Sequence, residues 1–83
     1  MKNMMVNEEK KKYHAVIEVD SLQLSSDYYE HVSSAIDDVL RKAKDYLKSQ
    51  GYEGKFLAEV SVYVKEEDAE RLIQTVRTKI IVK

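Results

Sequence analysis

The sequence predicts a small α+β domain, a two-layer sandwich of order β-α-β-α(-β) in which a long first helix lies on a short sheet. Three observations lead there. Tyr29, Val32, Ile36, Val39, Ala43 and Tyr46 recur at steps of three and four between Asp27 and Gln50, one apolar stripe along a helix of about 24 residues. Tyr13, Ala15, Ile17 and Val19 alternate with His14, Val16, Glu18 and Asp20, and Phe56 to Val64 alternate in the same way with Leu57 to Lys65. That period of two belongs to strands with one buried face. Finally, 83 residues without a cysteine leave room for one modest core and no disulfide staple.

Residues 1–12 read as a disordered leader, charged by Glu8, Glu9 and the Lys10 to Lys12 triplet, and residues 13–83 as the single α+β domain. The first strand starts at Tyr13. Leu22 and Leu24 then carry the apolar positions on even numbers, so a bulge or bend at Asp20 and Ser21 is expected to return both to the core side.

Asp27 followed by Glu30 has capping-box spacing for the helix start. Asp37 with Arg41 and Asp38 with Lys42 are helix-supporting pairs at i, i+4. Gln50 and Gly51 end the helix, the glycine supplying a left-handed residue. Tyr52 to Gly54 connect to the second strand. At about 33 Å that strand matches a helix of about 36 Å, which suggests a parallel β-α-β unit.

Glu66, Glu67 and Asp68 read as the start of a second helix carrying Ala69, Leu72, Ile73, Val76 and Ile80. Residues 78–83 fit either its extension or a short third strand, with the β-branched content leaning to the strand.

No chemistry-bearing motif stands out. His14, or His31 with Asp27 one turn before it, would suit a general base, yet a surface histidine explains either as well. Gly51-Tyr52-Glu53-Gly54-Lys55 is no phosphate loop, and Glu66, Glu67, Asp68 and Glu70 lack calcium-loop spacing. The reading therefore contains no catalytic residue, no cofactor and no metal. No apolar run, Ile80 to Val82 included, exceeds three residues, and the first residues hold no signal-peptide block, so a cytoplasmic location without membrane contact is expected.

Basic and acidic side chains number 14 and 15, a balance that argues against a dedicated phosphate-backbone binder. Six tyrosines are the distinctive content. A tyrosine ring joins an apolar contact to a wet hydroxyl, as protein interfaces require. The expected function is thus a non-enzymatic protein–protein interaction module, a regulator, adaptor or inhibitor of a kind that mobile elements encode. It would self-associate as a homodimer and bind a further protein. Candidate contacts are Tyr13, Tyr28, Tyr46, Tyr63 and Leu47, together with the Lys55 to Lys65 strand as an exposed sheet edge that a second copy or a different protein would complete or cover. The alternative is a nucleic-acid or ribosome-associated protein using the lysine leader and a Tyr/Lys surface that includes Lys42, Lys44, Lys48 and Lys55.

The stretch Glu59 to Ile73, EVSVYVKEEDAERLI, resembles the strand, acidic turn and helix of ferredoxin-like small regulators such as PII-like and ACT-like domains. The resemblance implies a ferredoxin-like style of packing. It assigns no ligand and no binding residue.

Overall fold

The structure is a computed structural model describing residues 11–83, so the expected leader lies outside it apart from Lys11 and Lys12. The chain runs β1 (Tyr13–Val19), β2 (Leu22–Ser25), α1 (Val32–Ser49), β3 (Gly54–Lys65) and β4 (Glu70–Val82). All pairings are antiparallel, in the spatial order β2-β1-β3-β4, and α1 covers one face. This replaces the expected β-α-β-α(-β), ferredoxin-like arrangement: the order is β-β-α-β-β, with one helix among the described residues.

Two local readings account for the difference. Val19 pairs with Leu22, so Asp20 and Ser21 are a two-residue hairpin turn rather than a bulge. Asp20 takes φ 54°, a conformation that Asp tolerates better than most residues. In a hairpin of this kind partners face the same side, which is why Leu22 and Leu24 join Val19 and Ile17 on the helix side despite their change of parity. The second strand also pairs antiparallel with the first, so no parallel crossover exists.

The expected second helix is β4. Residues 66–69 make the turn, with the Glu66 N–H donating to the Ala69 carbonyl at 2.7 Å. Beyond it the pairing slips by one residue between Tyr63↔Leu72 and Val62↔Gln74, leaving Ile73 as the extra residue of a β-bulge. The EVSVYVKEEDAERLI stretch is therefore strand, turn and strand, and the ferredoxin-like resemblance does not carry the fold. The strand continues through residues 78–82, settling the end of the chain as β.

The helix is also shorter than its apolar stripe suggested. His31 is the N-cap, in extended conformation and without a side-chain cap bond, so Asp27 and Glu30 form no capping box. Its C-terminus behaves as expected: Gly51 at φ 85° lets Tyr52 N–H reach the Leu47 carbonyl and Gly51 N–H reach that of Lys48, both at 3.0 Å. At 18 residues α1 is about 27 Å long, against about 40 Å for each of β3 and β4.

Ala15, Ile17 and Val19 meet Ala58, Val60 and Val62 across the central strand pair, and Ala35, Val39, Ala43 and Leu47 descend on them from α1. Four alanines in this set let the helix approach the sheet closely. The helix lies mainly on β1. Consequently β4 is covered only at its far end, where Ile80 and Val82 are buried, while Val76 and Thr78 are half-buried and Gln74 is exposed.

Candidate functional site

The strand register maps the face of the sheet that α1 does not cover. One row across it runs Gln23, Glu18, Glu59, Arg77. The next runs Ser25, Val16, Ser61, Thr75, and beyond it lie His14, Tyr63 and Leu72. At the opposite end, Leu57 pairs with Lys79 and Lys55 with Ile81. Leu57 is 76% exposed, Leu72 51% and Ile81 47%. These side chains stand at the two ends of the open face, Leu57 and Ile81 at one and Leu72 at the other, with the Glu59–Arg77 and Ser61–Thr75 rows between them, and the face borders the unpaired edge of β4.

A side-chain network on the β2–α1 loop positions the upper part of this face. Ala15 N–H donates to Ser26 Oγ at 2.8 Å, whose hydroxyl donates to the Asp27 carbonyl at 2.8 Å. Asp27 N–H in turn donates to Asp38 Oδ2 at 3.1 Å, tying the loop to the second turn of α1. Asp38 is only 2% exposed, yet it has company: Arg41 at 2.6 Å and Lys42 at 3.5 Å. Burial by itself would raise its pKa. The Asp27 N–H, the Tyr29 hydroxyl, Lys42 and Arg41 outweigh that and hold the carboxyl below its ordinary value.

Pinned in this way, the loop sends successive tyrosines to opposite sides. Tyr29 bridges to Tyr13 through two backbone bonds of 2.8 and 2.9 Å and packs against the core. Tyr28 lands on the open face beside His14, with ring centroids 4.8 Å apart. His14 also stacks on Tyr63 at 5.5 Å, and its Nε2 lies 3.4 Å from Glu70. The Tyr28 hydroxyl donates to the same carboxylate, and that bond, aided by partial burial and the Glu70 charge, raises the phenol pKa. Lys65 covers the other part of Tyr28 at 5.5 Å. Three elements and a loop thus meet at one aromatic and ionic knot.

Of the candidate contacts, Tyr28 and Tyr63 are brought together around His14. Tyr13 faces the helix side of β1, next to Tyr29. Tyr46 stands 42% exposed near the end of α1, beside a hollow of about 220 Å³ shared with Leu22, Gln50 and Tyr52. Leu47 is 5% exposed and belongs to the core. His31 sits exposed at the N-cap, and Asp27 is engaged by Lys42 at 3.9 Å. Lys42 is further held by Asp38 and the Ser25 carbonyl. The acidic group at residues 66–70 is divided, Glu66 pairing with Arg71 at 3.0 Å and Glu70 joining the knot. Among the described residues no three potential ligands converge on a metal position, and no helix is long and apolar enough to cross a membrane.

Glu70, Leu72 and Ile81 lie outside the expected contacts; Leu57 falls on the expected edge strand, but that strand is β3, paired on both sides by β1 and β4, so it offers a face and not an edge. The signal for Leu57 lay in the alternation of β3, which marks it as facing away from Ala58. For Leu72 and Ile81 it was hidden by reading β4 as a helix. Searches of family models, curated proteins and solved structures return no match to this chain.

Proposed function

We propose that this chain is a non-enzymatic protein–protein interaction module, a small cytoplasmic regulator, adaptor or inhibitor that acts by surface binding, with a second copy or a different protein as its partner. The observation that carries the reading is the uncovered sheet face, with Leu57 at one end and Leu72 at the other, continuous with an edge strand of 13 residues. The hollow of about 560 Å³ beside Leu57, Glu59 and Arg77 is open to solvent rather than enclosed, which suits a protein partner better than a small ligand. Tyr28 and Tyr63, both packed on His14 and with the Tyr28 hydroxyl bonded to Glu70, add aromatic area that is positioned by neighbours of the same chain.

The test is association of the wild-type chain and of a Leu57→Glu/Leu72→Glu variant. Both side chains are exposed, so circular dichroism should be unchanged. Sedimentation and chemical cross-linking in the native host are expected to show the wild type in a complex, with itself or another protein, and the variant released as a monomer. A wild type that is monomeric at micromolar concentration and cross-links to nothing that the variant does not would overturn the reading.

A further inference from the structure

The edge of β4 has a chemical polarity that selects its occupant. On the helix side it offers Val76, Thr78 and Ile80, continued by Leu40 of α1. On the open side it offers Arg77 and Lys79. Leu40, Lys44, Lys79, Ile80 and Ile81 line a groove of about 230 Å³ along this edge, and no acidic side chain lines it. Neither Lys44 nor Lys79 is in an ion pair among the described residues.

A second copy fits this edge poorly. Antiparallel self-pairing centred anywhere from residue 76 to residue 80 sets Arg77 or Lys79 directly opposite, or diagonal to, the same cations of the other copy. Like charges in those positions destabilise a sheet. A strand that alternates apolar with acidic residues meets the opposite situation. Its apolar side chains would lie over Val76, Thr78 and Ile80 beneath Leu40, and its carboxylates would face Arg77 and Lys79, with Lys44 at the rim. Main-chain hydrogen bonds to the open edge would supply affinity, and the two rows of side chains specificity.

We infer that β4 takes up an extended segment of a different protein, alternating apolar and acidic residues, as a fifth strand of the sheet. The inference rests on the interaction-module reading and narrows it to one edge and one partner chemistry.

The probe is a capped synthetic peptide alternating valine and glutamate, long enough to lie along residues 74–82. It is compared with its valine–lysine counterpart and with two versions N-methylated on alternate residues, one for each peptide edge. Amide chemical-shift changes in the full-length protein should concentrate on residues 74–82 and on Leu40 and Lys44. The lysine peptide and one of the N-methylated peptides should bind at least about tenfold more weakly. In a Lys44→Glu/Lys79→Glu variant, whose substituted positions are exposed, the preference should invert in favour of the lysine peptide.

Absence of binding, equal binding of the glutamate and lysine peptides, indifference to N-methylation at both edges, or shifts located elsewhere would each overturn the inference. The two readings fail separately. Loss of association in Leu57→Glu/Leu72→Glu alongside inert peptides removes only the strand-addition inference, whereas a wild type that associates with nothing removes the interaction-module reading on which it rests.

Discussion

Asp38 shows how much of this molecule hangs on one polar side chain. As one of two buried polar residues among those described, it accepts the Asp27 N–H and so anchors the loop that sends Tyr28 outward and Tyr29 inward. Its folded pKa lies below the unfolded value near 3.8. The ionised form is therefore the one the fold favours, and the associated stability is fully present above that unfolded value and lost as pH falls through the depressed folded value. Asp38→Asn should lower stability at pH 7 by about 1–3 kcal/mol, since its donors lose the negative charge and one of the two acceptor oxygens. Urea melts of the two proteins should draw together as pH is lowered from neutrality to the range below 4. A gap unchanged with pH would assign the residue's role to shape alone. In the sequence, Asp38 with Lys42 was legible as a helix pair, and that pair forms. Its burial was not legible: the residue sits beside Val39 on the margin of the stripe, and only the arrival of the 26–31 loop closes it off from water.

At the scale of elements, α1, β1 and β3 could be read because each obeys a single period over most of its length. β4 does not. The bulge at Ile73 interrupts its alternation, so Leu72, Ile73, Val76 and Ile80 fall by chance at helical steps, and the acidic turn before them imitates a helix start. The better signal was composition, for seven of the 13 residues of β4 are Ile, Val or Thr. Reading β4 as a helix also removed from view the edge strand that borders the open face. The end of α1 supplies a check on the element reading that did hold. A Cβ placed on Gly51 would meet no atom within 4 Å, so Gly51→Ala faces only the backbone cost of its positive φ. Thermal unfolding should report a loss of about 1–2 kcal/mol. A neutral substitution would mean that the last turn frays without consequence.

Over the described residues the molecule is one helix on one sheet, 48 Å in its longest dimension and 17 Å in its shortest. Its centre is the β1–β3 seam, where Ile17 and Val60 oppose each other with no exposure at all. Its margins are nearly bare. Ile17→Ala should accordingly cost about 2–5 kcal/mol, while Leu57→Ala, on the open face, should stay within about 0.5 kcal/mol of wild type. Equal losses in denaturant titrations would mean that something already covers the open face of the isolated protein.

The strand order β2-β1-β3-β4 also has a consequence in time. β1 and β2 close over a two-residue turn and β3 and β4 over a similarly short one, so each half of the sheet is a hairpin that samples its pairing within about 1–10 μs but is barely stable until the other half docks on it. Of the strand pairings, only the seam between β1 and β3 joins distant residues, with all of α1 in the loop that must close. Loop closure delays such contacts, which makes the seam the barrier to folding and the outer hairpin strands late additions to stability. Val60→Ala should then slow refolding, whereas substitutions in the outer half of β4, such as Val76→Ala, should chiefly hasten unfolding. In stopped-flow experiments the reverse assignment would place the first ordered contacts in the hairpins. The strand that leaves an edge open would, on this account, be the one whose ordering the rest of the sheet does not wait for.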